Sequence, residues 1–159
     1  MSCTIRIRIQ PQPFDAEEES KQLTEGRSDV GALVTFTGYC RDEGGTLAAL
    51  TLEHYPGMAE AEIGRIAEEA AARWPLSGLT AIHRHGRIVP GDPIVLVAAA
   101  SSHRQAAFEA ASFMMDYLKT RAPFWKKEER AGDRGGDRDG DWVRAKATDD
   151  AAAGRWQKP

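Results

Sequence analysis

The sequence predicts an α+β fold in which helices pack on one side of a mainly antiparallel sheet. Segments with strand periodicity alternate with helical patterns in the order β-α-β-β-α-β-β-α, and this mixture favours the α+β class. With 159 residues and 42% apolar residues, the chain is long enough to bury one core. Its longest apolar run, at 94–100, predicts a buried strand and is far too short to cross a membrane.

The individual elements follow from local patterns. Ile5, Ile7 and Ile9 alternate with polar residues, which predicts a strand with one wet face. Asp15 is a suitable cap for a short acidic helix that runs to about Leu23. Two glycines between the second and third strands predict a hairpin. The other predicted elements are strands at 31–38, 47–55, 79–83, 94–100 and 142–147 and helices at 59–74 and 102–121.

The helix at 102–121 is the predicted centre of the fold. Ser102 and Gln105 have the spacing of a capping box, and Pro123 ends the helix near Arg121. Its apolar face predicts that most of the helix is buried. The residues of this face are Ala107, Ala111, Met114, Met115 and Leu118.

Positive charges gather at the two ends of this helix. His103 and Arg104 lie in the first turn, where free backbone N–H groups favour an anion such as phosphate. Four cations follow at the other end beside Phe124 and Trp125, which predicts a pocket for something anionic. A purely structural role also fits each feature taken alone, because helix C-termini favour cations. The four cations are Lys119, Arg121, Lys126 and Lys127.

The two charged ends are too far apart for one small ligand. Arg104 and Lys119 are fifteen residues apart in the sequence, which at ~1.5 Å rise per residue separates them by roughly 22 Å. Either the chain has two anion sites, or the helix start of one chain faces the helix end of a second chain across a two-fold axis. We favour the second arrangement as a hypothesis.

Composition excludes several classes of function. A net charge of −3 and a pI near 5.8 argue against general binding to nucleic acids or membranes. Two cysteines, Cys3 and Cys40, are too few for a disulfide framework, and no Cys/His cluster suggests a metal. The low cysteine content leads us to expect a reducing, cytoplasmic setting, and the alternating residues at the N-terminus do not have the pattern of a signal peptide. The sequence also lacks the motifs of P-loop, dinucleotide-binding and serine-hydrolase sites.

A few residues remain as candidates for chemistry. Cys40 beside Arg41 has the environment of a reactive thiolate, although a buried and inert cysteine is the simpler interpretation. Glu53 and His54 are adjacent on a predicted strand, so they point to opposite faces and make a poor acid–base pair. Lysines among cations and aromatic rings are better candidates, as general acid/base or nucleophile. These are Lys119 and Lys126.

Several sequence motifs carry a resemblance to a known family. PQPF at 11–14, LEHYPGM at 52–58 and MDYLKTRAPFWK at 115–126 resemble the large, catalytic subunit of molybdopterin synthase. The similarity extends over nearly the whole chain as far as 142–143. It implies an α/β hammerhead-like fold with a small additional antiparallel β subdomain. It also implies sulfur insertion into cyclic pyranopterin monophosphate (precursor Z), without a cofactor or a metal.

The resemblance further implies partners and residue roles. The sulfur donor is a thiocarboxylate on the C-terminal glycine of a small, ubiquitin-like subunit, and two large subunits form a homodimer within a heterotetramer. Lys119 and Lys126 match the catalytic lysines of the family. The residues that match substrate-binding positions, besides these two lysines, are Tyr39, Cys40, Arg41, His103, Arg104, Lys127 and Glu128.

We expect a single domain over 1–148, with a mobile glycine-rich loop at 132–141 and a C-terminal tail at 149–159. Two other functions compete with the enzyme. One is a non-catalytic module that binds the tail of a ubiquitin-like protein. The other is an RNA-binding domain in which Trp125 stacks on a base, and the acidic net charge argues against it.

Overall fold

The computed structural model describes residues 3–131, 142–143 and 147–157, which form two sheets and the helices around them. The strands are β1 (Thr4–Gln10), β2 (Ala32–Tyr39), β3 (Leu47–His54), β4 (Leu76–Arg84), β5 (Gly86–Ile88), β6 (Pro93–Ser101), β7 (Phe124–Arg130) and β8 (Trp142–Val143). The helices are α1 (Ala16–Thr24), α2 (Met58–Arg73), α3 (Arg104–Thr120) and α4 (Ala147–Gly154). The predicted mobile loop at 132–141 lies outside the described residues.

The main sheet has the strand order β1-β4-β6-β2 and supports the principal core. β1 runs parallel to β4, whereas the β4–β6 and β6–β2 pairs are antiparallel. Alternate residues of β6 point to one face, where Val97 and Ala99 are fully buried against Ile66 of α2 and Phe113 of α3. The predicted α+β class with mainly antiparallel strands is therefore confirmed.

Helix α1 lies on the opposite face of the main sheet from α2 and α3, which corrects the expectation of helices on one side only. Its Leu23 packs against Ala98 and Ala100, the β6 residues that point away from the principal core. Glu19 forms an ion pair with Arg8 on the wet face of β1. The polar residues of β1 stay exposed to solvent, as the sequence indicated, and the acidic helix pairs with one of them at the surface.

The small sheet has the order β5-β3-β7-β8, and all its strand pairs are antiparallel. It corresponds to the predicted additional β subdomain. The chain passes into it directly from the main sheet, because β4 ends at Arg84 and β5 begins at Gly86, whose φ of 89° turns the backbone. The end of β4 is consequently the junction of the two sheets.

The predicted hairpin between the second and third strands is wrong. β2 pairs with β6 in the main sheet, whereas β3 pairs with β5 and β7 in the small sheet. Gly44 and Gly45 both have positive φ, but the turn they form carries the chain from one sheet to the other. Glycine content identified the turn correctly and left the strand partners undetermined.

The start of α3 differs from the predicted capping box. The N-cap residue is His103, and Ser102 stands one position before it. Gln105 therefore falls too early in the helix to close the box, and its amide donates instead to Glu109 Oε1 at 3.1 Å. The end of the helix at Thr120 agrees with the stop predicted from Pro123.

The C-terminal segment docks on α3. The predicted strand at 142–147 is present only as Trp142–Val143, residues 144–146 lie outside the described part, and Ala147 begins α4. The predicted boundary between the domain and its tail, at 148/149, falls inside this helix. Trp156 packs edge-on against Trp74 and Phe113, with ring centroids 5.5 and 5.7 Å apart.

Candidate functional site at the junction of the two sheets

The junction brings together residues from four elements, which we call the junction site: His54 of β3, His83 of β4, Lys119 of α3, and Phe124 and Lys126 of β7. The rings of His83 and Phe124 are stacked, with centroids 3.8 Å apart. His54 lies 6.0 Å from Phe124, centroid to centroid. Lys119, in the last turn of α3, is close enough to His83 to disfavour its protonated form electrostatically.

Lys126 belongs to this site because of the register of β7. Lys126 lies opposite Leu52 and Phe124 lies opposite His54, and opposed residues of an antiparallel pair share a face. Leu52 is buried, so this face of the small sheet is its inner one. Lys126 therefore shares the inner face with Phe124, while Lys119 acts electrostatically on His83, the ring that stacks on Phe124.

Lys127 points to the outer face of the small sheet instead. It lies opposite Thr51, and on the same face the depression around it is lined by Glu53 and Glu129. Such an acidic surface does not suit an anion. The predicted grouping of Lys126 with Lys127 in one pocket is therefore not found.

Trp125 is separated from Phe124 in the same way. It lies opposite Glu53 on the outer face, is 39% exposed, and contacts Tyr55 edge-on with ring centroids 4.8 Å apart. Of the two aromatic residues expected to line the pocket, only Phe124 faces the junction site.

Arg121 also differs from the predicted cluster of four cations. Its guanidinium lies 2.9 Å from Glu62 and 3.2 Å from Glu69, both on α2. These two acids offset its charge and tie the end of α3 to α2. The cationic character of the junction site therefore comes from the two lysines.

Glu128 is the acidic neighbour of Lys126. Its carboxylate accepts hydrogen bonds from Nε and Nη2 of Arg130 at 3.1 and 2.8 Å, and its other oxygen lies 4.0 Å from Lys126 Nζ. Arg130 is in turn anchored through Nη1 to the backbone oxygen of Glu43 at 2.8 Å. Glu128 is thus placed to orient Lys126 from within β7.

Cys40 is buried in the small apolar cluster beneath the inner face of the small sheet, where it packs with Leu50, Leu52 and Ile88. Burial raises the pKa of its thiol, while the positive charge of Lys126 opposes that rise. A buried thiol with a raised pKa is a weak nucleophile. The inert interpretation of Cys40 is the one that its surroundings favour.

Tyr39 and Arg41 flank Cys40 and point outward. Tyr39 is 61% exposed, and the Arg41 side chain is 75% exposed with Glu43 at 3.4 Å. The backbone between them is fixed, since the N–H of Cys40 donates to the oxygen of Asp92 at 2.8 Å. Both side chains are therefore available to a ligand at the edge of β2.

His103 and Arg104 are exposed at the start of α3, and no side chain caps the helix there. They lie at the opposite end of this helix from Lys119, as the sequence indicated. Within one chain, the structure does not bring them to the junction site.

Three histidines near the junction site were not predicted as a group. His54 and His85 have ring centroids 4.5 Å apart, and His54 Nε2 lies 4.0 Å from Glu60. Loss of solvation, together with repulsion from Lys119, His54 and His85, lowers the pKa of His83 to about 4. The pKa of His85 is lowered chiefly by the same loss of solvation. The only signal in the sequence was that His83 and His85 occupy alternate positions.

Two properties of the described residues bear on the class of protein. Within ranges 3–131, 142–143 and 147–157, no group of three or more His, Cys, Asp or Glu side chains is arranged to hold a metal ion. In the same part of the chain, no helix is long and apolar enough to cross a membrane.

The fold and site define a mixed α+β protein with a lysine-bearing site suited to an anionic ligand. Comparisons identify its family. The sequence matches the family described as "MoaE protein" over residues 9–121. It is 68% identical to the molybdopterin synthase catalytic subunit of Mesorhizobium japonicum, covering 95% of this chain and 92% of that protein. The chain belongs to this family of molybdopterin synthase catalytic subunits, and it is an enzyme subunit of molybdopterin biosynthesis.

Solved structures agree with this assignment. The MoaE protein of Burkholderia ambifaria has a TM-score of 0.81 and 45% identity, covering 96% of this chain and 98% of that one. A complex of subunits 1 and 2 of the molybdopterin-converting factor from Helicobacter pylori contains a chain with a TM-score of 0.65. That chain is 20% identical, covers 86% of this chain and 92% of its own length, and shares the fold.

Proposed function

We propose that this chain transfers sulfur to precursor Z, forming the dithiolene of molybdopterin. The sulfur comes from a thiocarboxylate on the C-terminal glycine of a small, ubiquitin-like partner in the cytoplasm. The observation that carries the proposal is the approach of Lys119 and Lys126 to one site from two elements. A thiocarboxylate and a cyclic phosphate are both anions, and both require cations for binding.

Each lysine has a distinct task in this proposal. Lys119 orients the thiocarboxylate and moves protons as its sulfur bonds to a carbon of the pterin side chain. A carbon–oxygen bond of that side chain breaks, and the departing oxygen takes up a proton. Lys126, whose ammonium lies 4.0 Å from the Glu128 carboxylate, stabilises the negative charge that develops. Water then cleaves the acyl–sulfur bond, so the glycine leaves as a carboxylate, and a second round installs the second sulfur.

A second copy of the chain completes the site in this proposal. Arg104 and Lys119 lie roughly 22 Å apart along α3, so His103 and Arg104 serve the junction site of the other chain. Phe108 and Met115 share a helix face with both cations, at spacings of four and seven residues. Phe108 is 60% exposed, as expected of an apolar stripe that pairs with its own copy. Antiparallel pairing of two such stripes brings Arg104 of each chain towards Lys119 of the other.

The kind of partner follows from the chemistry of the thiocarboxylate. A thiocarboxylate at the end of a glycine tail must reach the two lysines, and the exposed Tyr39 and Arg41 offer a first contact for that tail. The Helicobacter pylori structure with this fold is a complex of two different subunits, which supports such a partner. With a small subunit on each large one, the homodimer becomes a heterotetramer.

The test is single-turnover conversion of precursor Z by the chain mixed with thiocarboxylated partner. The wild type forms molybdopterin, and Lys119→Ala lowers the rate about 100-fold with an unchanged melting temperature. Lys21→Ala is the matched control, because Lys21 is an exposed lysine on α1 across the main sheet. Tight binding of the partner without any turnover by the wild type contradicts the proposal and identifies a binding module instead.

A further inference from the structure

A stacked ring pair joins the two sheets beside the lysines. His83 is the penultimate residue of β4 in the main sheet, and Phe124 is the first residue of β7 in the small sheet. Their ring planes are only 16° apart, at a centroid distance of 3.8 Å. A stack this close restrains the position of one ring relative to the other.

The position of Phe124 matters because both lysines are carried by the chain on either side of it. Lys119 precedes Phe124 by five residues and Lys126 follows it by two. The connection between them is short, since only residues 121–123 separate α3 from β7, and the N–H of Phe124 donates to the oxygen of Ala122 at 2.9 Å. A shift of Phe124 and its backbone therefore moves the chain segments that carry the two ammonium groups.

The ring of His83 is itself held firmly. Its Nδ1 lies 2.8 Å from the backbone oxygen of Arg84, and because a carbonyl oxygen only accepts, Nδ1 carries the hydrogen. The buried Arg84 side chain then anchors this end of β4, donating to the oxygens of Pro11 at 2.8 Å and of Pro93 at 2.9 Å. His83 is a fixed platform on which Phe124 rests.

We propose that His83 is a positioning residue: its stacked ring fixes Phe124 and thereby sets the spacing of Lys119 and Lys126. The inference rests on the proposed function of the two lysines. A flat, uncharged ring suits this place, because Lys119 repels a positive charge there. His83 acts through Phe124 and gives no proton to the substrate.

The test compares two variants that separate the effect of a flat ring at position 83 from the effect of the acid–base chemistry of an imidazole. His83→Ala removes the stack and lowers kcat about 10-fold to 100-fold, because small displacements of reacting groups have effects of this size. His83→Phe keeps a flat ring and stays within about threefold of the wild type. KM for the partner stays within about twofold in both, because the partner's contacts are unchanged.

Two outcomes overturn the inference. His83→Ala with the wild-type kcat shows that the stack has no effect on the reaction. His83→Phe as slow as His83→Ala shows that the imidazole itself is required. If His83→Ala does not fold, the His83→Phe rate decides alone, since near-native turnover supports positioning and a large loss contradicts it.

A second readout does not depend on activity. The ring protons of His83 should be shifted by the ring current of Phe124, and Phe124→Leu should return them to ordinary values. Unchanged His83 resonances in Phe124→Leu overturn the inference. Absence of sulfur transfer by the wild type contradicts the proposed function, and the resonance experiment still reports on the stack.

Discussion

Lys126 and Lys127 are neighbours in the chain, yet their side chains lie on opposite faces of the small sheet. Lys126 is opposite the buried Leu52, and Lys127 is opposite Thr51 on the acidic outer face. This alternation follows from the twofold period of a strand. It separates two lysines that the sequence alone had grouped in a single site.

The alternation predicts unequal effects of removing the two lysines. Lys126→Ala should lower the rate of sulfur transfer about 100-fold, whereas Lys127→Ala should lower it by less than about threefold. Single-turnover rates and melting temperatures of both variants check this expectation. Equal losses in the two variants would show that the face of β7 does not decide which lysine acts.

Cys40 should be unreactive in the folded protein. Its thiol is buried and has a raised pKa, so little thiolate is exposed near neutral pH. Iodoacetamide should label Cys40 slowly in the native protein and rapidly in guanidinium chloride. The partly exposed Cys3 is the internal control, because its labelling rate can be compared with that of Cys40 in the same native sample. Labelling of native Cys40 at the rate of an unfolded thiol is the contrary result.

Stability should fall on mild acidification because of His83. Its pKa is about 4 in the folded chain against 6.5 for an ordinary histidine, so the unfolded chain binds more protons between these values. The stabilising effect is complete above pH 6.5 and is lost as the pH falls towards 4. The loss from pH 7 to pH 5 is about 2 kcal/mol.

Urea unfolding of the wild type and of His83→Phe at both pH values measures this contribution. The variant cannot titrate at this position, so its stability should decline less, although His85 still contributes in the same direction. Identical declines in the two proteins would show that His83 titrates normally in the folded state.

The docked C-terminus should stabilise α3. Trp156 packs on Trp74 and Phe113, and its Nε1 donates to Asp116 of α3. Trp156→Ala should lower the free energy of unfolding by about 3 kcal/mol. Gln157→Ala, at the exposed neighbouring position, should change it by less than about 0.5 kcal/mol. If both variants have the same free energy of unfolding as the wild type, the docked C-terminal segment does not contribute to stability.

Local periodicity was sufficient to predict the elements that bury one clear face. The 94–100 run became the centre of β6, and the helix that follows it ends at Thr120 with Lys119 in its last turn. These elements were predictable because the apolar periodicity that defines each of them lies within the element's own residues. Strand partners depend on residues far away in the chain, and for this reason the predicted β2–β3 hairpin failed.

β7 was missed for a physical reason. Five of its seven residues are charged, from Lys126 to Arg130, so no apolar alternation marks it as a strand. Its inner face holds Lys126 and Glu128 because it borders the junction site as well as a core. The three histidines were not predicted as a group because they are brought together only at the end of β4, where the chain leaves the main sheet for the small sheet.

In the proposed function, one chain supplies Lys119 and Lys126 to each site while a second chain supplies Arg104. The decisive measurement is the rate of sulfur transfer after Arg104→Ala chains are mixed with Lys119→Ala chains under conditions that exchange subunits. Each mixed dimer then contains one site with both native residues. We expect recovery to about one quarter of wild-type sulfur transfer, since random pairing makes half of the dimers mixed and each mixed dimer has one intact site of two. If the mixture remains as inactive as the separate variants, the two residues serve one site within a single chain, and the shared site is contradicted.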